Sequence, residues 1–285
     1  MRRSHASGSR VTGSLAVPRF AVAVLGRVWA LTVLGMALPV AAVESLTVKV
    51  HRKIPHDPAA YTQGLLWWQG KLYESTGRRG QSQLRRIDPA TGTVERHVRI
   101  PVLFFGEGLA REGQRLVMLT WKAEQAFVFG LPGLDRLGML NYQGEGWGLC
   151  HDGDRFVMSD GSAALSFRDN ESFAVAGRVA VTIEGRPLGN LNELECVHGA
   201  VYANVLQRDT IVRIDPATGR VTARADATGL RDAGEAQGAD VLNGIAYAPE
   251  RERFFVTGKL WPAMFEVTFV GESGADTPVG SNGPD

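Results

Sequence analysis

Carboxylates, amides, tryptophans and a lysine stand at corresponding places along this chain. Gln63, Glu107, Trp147, Asn192 and Asn243 each open a tripeptide that continues with Gly, once Glu, and ends in Leu or Ile. Between 11 and 14 residues after each, a hydrophobic run ends in or beside Glu74, Trp121, Asp160, Asn204 and Lys259. Gathered on one face, these groups form a polar, aromatic-walled cavity in which a carboxylate can move a proton and a lysine can neutralise charge. That composition suits a small polar ligand. Glu74 is the carboxylate expected to turn inward, because it follows the apolar pair Leu72-Tyr73 and precedes Ser75-Thr76-Gly77. Plainer roles stand beside these: turn or inter-strand hydrogen bonding for Asp160 and Asn204, backbone-amide pairing for Glu107, a plug for Trp147, a solvated loop for Lys259.

Other chemistries find no support in the spacing. His51, His56, His97, His151 and His198 are scattered, with no tetrahedral zinc pattern, so no metal is expected. Gly77-Arg78-Arg79-Gly80 lacks the Lys-Ser/Thr ending of a phosphate loop, and Asp152-Gly153-Asp154 reads as a hairpin turn. Cys150 and Cys196 lack the His pairing of a thiol nucleophile and read as small buried hydrophobes; a disulfide is the alternative.

The elements that must position these groups are strands. Short β-branched and aromatic runs are punctuated by Gly, Asp and Pro, without sustained helical periodicity. The tripeptides begin 44, 40, 45 and 51 residues apart. Gln69-Gly70-Lys71 and its counterparts supply hairpin turns. Leu84-Arg85-Arg86-Ile87-Asp88-Pro89-Ala90-Thr91-Gly92 recurs almost unchanged as Ile211-Val212-Arg213-Ile214-Asp215-Pro216-Ala217-Thr218-Gly219. A four-stranded unit repeating at this period predicts an all-β, five-bladed β-propeller over residues 43–270, whose innermost strands bring their first residues to a common axis.

Residues 1–42 differ from the rest. Arg2, Arg3, Arg10, Arg19 and Arg27 precede the apolar run Val28–Val43, which ends in small residues near Ala42. This is the order of a secretory signal peptide, and it predicts export to the periplasm or beyond. An uncleaved anchor is the alternative. Without those five arginines, 26 Lys+Arg face 30 Asp+Glu, a net charge of about −4, which argues against nucleic acid as a partner. No stable membrane partner and a monomeric chain are expected. The Gly/Ser/Pro/Asp-rich segment 271–285 reads as a disordered tail.

Together, Tyr61-Thr62-Gln63-Gly64-Leu65, Tyr73-Glu74-Ser75-Thr76-Gly77, Phe105-Gly106-Glu107-Gly108-Leu109, Leu119-Thr120-Trp121, Glu145-Gly146-Trp147-Gly148-Leu149, Ser159-Asp160-Gly161, Leu191-Asn192-Glu193-Leu194-Glu195 and Gly258-Lys259-Leu260-Trp261-Pro262 resemble the plant-latex and bacterial glutaminyl cyclases, from about Tyr61 to Val267. The resemblance implies a five-bladed propeller that closes the N-terminal glutamine of peptides or proteins to pyroglutamate without metal or organic cofactor. It also implies Glu74 as the catalytic acid and Gln63, Glu107, Trp121, Trp147, Asn192 and Lys259 as the substrate pocket. In such a reaction one carboxylate takes the proton of the α-amine and returns it to the departing ammonia. Trp121 and Trp147 would wall the flexible side chain, and Asn192 or Lys259 would meet the charge on the γ-oxygen. Arg78-Arg79 departs from the family pattern, leaving the loop after Glu74 basic. A non-catalytic propeller that holds a peptide or sugar, and a metal-dependent propeller lactonase, are the competing readings.

Overall fold

The computed structural model describes residues 42–230 and 237–271, together with the isolated Gly13. The expected leader, but for Gly13 and Ala42, and the expected tail beyond Gly271 lie outside those residues. Every regular element among the described residues is a strand, as the short β-branched runs require.

The first strand, β1 (Glu44–Pro55), pairs with none of its immediate successors. β2 (Thr62–Trp68), β3 (Lys71–Thr76), β4 (Gln83–Ile87) and β5 (Val94–Arg99) form one antiparallel sheet in chain order. β6 (Gly106–Glu112), β7 (Arg115–Thr120), β8 (Gln125–Gly130) and β9 (Asp135–Asn141) form the next, followed by β10 (Leu149–His151), β11 (Phe156–Met158), β12 (Ala164–Arg168) and β13 (Val175–Ala180). After a small hairpin of β14 (Thr182–Ile183) and β15 (Arg186–Pro187) come β16 (Leu191–Val197), β17 (Ala200–Val205), β18 (Thr210–Ile214), β19 (Val221–Asp226), β20 (Leu242–Ala248), β21 (Arg253–Gly258) and β22 (Ala263–Gly271). These seven join β1 in one eight-stranded sheet of order β16-β17-β18-β19-β1-β22-β21-β20. There β1 runs antiparallel to β22, pairing Val48 with Phe269, and parallel to β19, pairing Leu46 with Ala225.

Burial falls off along each run, from the opening strand to the last. β2 and β6 are enclosed over most of their length, whereas β5, β9 and β13 are half-buried or exposed. β2 lies against β6, β6 against β10, β10 against β16, β16 against β20 and β20 against β2, so these five strands neighbour one another in a ring. Apolar clusters fill the spaces between successive sheets: Leu66, Tyr73 and Leu84 meet Leu109, Met118 and Phe127, and Leu65, Leu72 and Ile87 meet Ala246, Phe255 and Met264. Each Leu, Ile, Met or Phe among them contributes about 1.5–3 kcal/mol by leaving water.

The repeated Gly of the tripeptide follows from this crowding. A Cβ on Gly148 would stand 1.9 Å from the Asn192 carbonyl oxygen, and one on Gly64 2.6 Å from the Leu109 amide. The exception, Glu193, is fully buried; its carboxyl accepts from the amides of Leu65 at 3.2 Å and Ile245 at 2.7 Å, tying β16 to both β2 and β20. Burial pushes that carboxyl well above the usual range.

The Asp-Pro-Ala-Thr-Gly segments form twin turns. Gly92 and Gly219 donate to the carbonyls of Asp88 and Asp215 at 2.8 Å each, with φ of 75° and 71°. The cysteines take the disulfide alternative rather than the reading as two small buried hydrophobes. Cys150 on β10 and Cys196 on β16 form a disulfide with a Cα–Cα distance of 5.5 Å, because their strands are neighbours in the ring.

Candidate active site

Tyr61, Gln63, Phe105, Glu107, Trp121, Trp147, Asn192, Leu206 and Lys259 line one cavity of about 320 Å³. Gln63, Glu107 and Asn192 lie on β2, β6 and β16, and Trp147 stands just before β10. Trp121 follows β7, and Lys259 follows β21. All six residues expected to form a pocket are therefore on its walls. Asn243, the fifth residue of the repeat, lies behind them: its amide nitrogen donates to the Thr62 carbonyl at 2.9 Å and to Gln63 Oε1 at 3.1 Å. That engages the Gln63 oxygen and leaves its NH2 group as the donor for the cavity.

Glu107 is the cavity's carboxyl. It is 4% exposed, and burial, opposed by the Lys259 ammonium and aided by the negative charge of Glu145, pushes it well above the usual carboxylate range. Burial lowers the Lys259 ammonium, which Glu107 and Asp240 help keep charged. The Lys259 Nζ lies 4.9 Å from the centroid of the Tyr61 ring, and the Arg78 guanidinium carbon lies 4.7 Å from the same ring. Tyr61 meets Phe105 edge-on at 6.1 Å, and Phe105 meets Trp121 at 5.8 Å, which makes a continuous aromatic wall.

Glu74 is elsewhere. It is fully buried on β3 and absent from the cavity lining. Its Oε1 accepts from Thr62 Oγ1 at 2.7 Å and from His56 Nε2 at 2.9 Å, and its Oε2 lies 3.5 Å from the Arg85 guanidinium. His56 Nδ1 donates to the Trp261 carbonyl at 2.8 Å, so a proton on Nε2 as well makes the ring an imidazolium. The pairing overrides desolvation in both partners, raising His56 and lowering Glu74. Asp57, 3.0 Å from Arg85 and 38% exposed, adds a second anion at the solvent edge of this buried group.

Asp160 is exposed and caps its own turn, accepting from the Ser162 amide at 3.0 Å. Asn204 is buried and accepts from the Gly244 amide at 2.9 Å. Both thus take the plainer roles weighed for them. Sequence reasoning missed Tyr61, Phe105 and Leu206 as lining residues. Tyr61 and Phe105 carried a signal, since each precedes a cavity residue, Gln63 or Glu107, by two positions, the spacing that shares a face in an extended chain. Leu206 carried none, and neither did His56, whose partner on β3 is 18 residues away.

A family model described as glutamine cyclotransferase matches residues 23–269. The glutaminyl-peptide cyclotransferase of Arabidopsis thaliana is 38% identical over 226 residues, covering 77% of this chain and 70% of that one. The crystal structure of Myxococcus xanthus glutaminyl cyclase superposes with a TM-score of 0.74 at 38% identity, over 80% of this chain and 99% of that one. The cavity and its motifs sit within the residues 23–269 that the family model matches, and the chain belongs to the glutamine cyclotransferase family.

Proposed function

We propose that this protein is a glutaminyl-peptide cyclotransferase, converting the N-terminal glutamine of peptides or proteins to pyroglutamate and releasing ammonia. The single observation that carries the reading is a buried carboxyl, Glu107, held above its usual range beside Lys259 in a cavity with aromatic walls. Within this proposal the proton transfer expected at Glu74 is assigned to Glu107, because Glu74 has no surface toward the cavity and both of its oxygens are engaged.

The substrate enters as an α-ammonium whose ordinary pKa is about 7.7–8.0. A carboxyl held above its ordinary range accepts that proton with less loss of driving force than an ordinary carboxylate would. The freed nitrogen attacks the side-chain carbonyl carbon, a ring C–N bond forms, and negative charge grows on the carbonyl oxygen. Lys259, Asn192 and the NH2 of Gln63 are the donors available to that charge. Glu107 returns that proton to the departing nitrogen and takes the second proton of the ring nitrogen, the original C–N bond breaks, and the products are the neutral lactam and ammonia, which carries the remaining proton away as ammonium. Because the attack is intramolecular, much of the acceleration comes from holding a near-attack conformer between Trp121 and Trp147.

The cyclic adjacency of β2, β6, β10, β16 and β20 supports a five-bladed propeller in which β1 is the outermost strand of the last blade. The basic-then-apolar leader and the paired cysteines support export to an oxidising compartment, the periplasm or beyond. Incubating the purified protein with a Gln-Ala dipeptide tests the activity through ammonia release. Glu107→Gln is expected to lower turnover by about 10²–10⁴-fold with the fold intact. Near-wild-type turnover in that variant would remove Glu107 from the reaction.

A further inference from the structure

Glu145 does not line the cavity, yet it meets both of the cavity's tryptophans. Trp121 Nε1–H donates to Glu145 Oε2 at 2.7 Å, and Trp147 Nε1–H donates to the same oxygen at 3.0 Å. The other oxygen lies 3.2 Å from Lys122 Nζ, which also stands 4.2 Å from the centroid of the Trp121 ring. The two indoles come from different sheets, one following β7 and the other preceding β10. A backbone bond from the Gly146 amide to the Trp121 carbonyl, 2.9 Å, aligns their segments but leaves each ring its own side-chain torsions. An indole has one donor, so a shared acceptor ties the two rings to each other.

The carboxylate is at the rim, 38% exposed, with Lys122 at 52%. The bonds from Trp147, Trp121 and Lys122 hold it below the usual carboxylate range, so it keeps its charge at neutral pH. Trp121, Glu145 and Trp147 belong to neither neighbouring core cluster, so losing these bonds should leave the core packing in place. Its effect falls on the space between the indoles.

We propose that Glu145 is a positioning residue: by holding both indole N–H groups on one oxygen, it sets the gap between the tryptophan walls and with it the conformer in which glutamine is bound for attack. This rests on the cyclotransferase reading. Its carboxylate also adds negative charge near Glu107, whose other charged neighbour is Lys259, while Lys122 neutralises part of Glu145. Removing that negative charge moves Glu107 back toward its ordinary range, and the acid limb of kcat/KM moves to lower pH. Asp keeps the charge but is one methylene too short to reach both indoles.

Glu145→Gln and Glu145→Asp should each lose kcat by about tenfold to a hundredfold with little change in KM, the cost of misplacing a reacting group by about an ångström. The acid limb should shift to lower pH in the Gln variant and stay in place in the Asp variant. A pH titration of tryptophan emission reads the contacts without substrate, in a Glu250→Gln background because Trp67 Nε1–H donates to Glu250 Oε1 at 2.8 Å and would add an acid step of its own: with Glu145 in place there should be a step in the acid range as it is protonated, and with Glu145→Gln added there should not. Wild-type kcat in both variants would overturn the proposal, as would an emission step that persists in Glu145→Gln. Should the wild-type protein show no turnover, the cyclotransferase reading fails by itself, and the emission step alone decides whether Glu145 holds the indoles.

Discussion

Glu74 and Glu107 have the same side chain, both are buried, and their surroundings drive them in opposite directions. At Glu74 the imidazolium of His56, the guanidinium of Arg85 and the Thr62 hydroxyl outweigh desolvation, whereas at Glu107 desolvation wins against one lysine. Glu74→Gln should therefore cost stability, about 3–5 kcal/mol, because it strands buried cations; urea unfolding measures it. The loss should appear at neutral pH and shrink in acid. A carboxyl lowered in the folded state contributes stability above its unfolded pKa and loses it as pH falls through the folded value. Turnover below the variant's lowered melting temperature should survive. Lys259→Met removes the cation that restrains Glu107, so the acid limb of kcat/KM should move to higher pH, opposite to the shift for Glu145→Gln. Residue types and spacing marked six of the cavity residues. They could not separate the two glutamates, because the distinction lies in His56 and Arg85, and nothing in the motif Tyr73-Glu74-Ser75 announces an ion pair.

At the scale of the element, the tripeptide Gly is a statement about how closely neighbouring inner strands approach. Gly148→Ala should destabilise by about 3 kcal/mol through overpacking against the Asn192 carbonyl, read as a lower denaturant midpoint. Turnover should fall too, since Trp147 and Asn192 flank that contact. The outer turns show where the sequence was legible and where it was not. The Asp88 and Asp215 turns were visible because Gly92 and Gly219 fill the left-handed position. The same hydrogen bond recurs from Leu134 to Gly130 at 2.7 Å and from Phe173 to Asp169 at 3.0 Å, with φ of 60° and 57°. There the left-handed residue is buried in the core, and its apolar contacts offset the backbone strain, so no glycine marks the turn. Likewise Glu193, which broke the pattern in the sequence, sits where its carboxyl ties three inner strands together.

For the whole molecule, the all-β class and the repeat could be read from the sequence, whereas the cysteine pairing could not. Cys150 and Cys196 are 46 residues apart, and only the adjacency of β10 and β16 makes them neighbours. Closing that loop is worth at most about 4 kcal/mol by chain entropy. Replacing both with serine should lower the melting temperature and leave kcat unchanged. Cys196 lies four residues along β16 from Asn192, about 13 Å from the cavity wall.

The place of β1 has a further consequence for how the protein comes into being. Its antiparallel partner is β22, the last described strand, so Glu44–Pro55 meets its mate only after more than two hundred further residues have been made. Until then Leu46, whose apolar cluster is drawn from Val197 onward, has nothing to cover it, and the edge of β19 stays open. The nascent chain thus cannot lock into its final form in the order in which it is synthesised. Its ends must find each other across a large loop, the slow kind of closure. Release of the carboxyl end is therefore the event that lets the last sheet be completed.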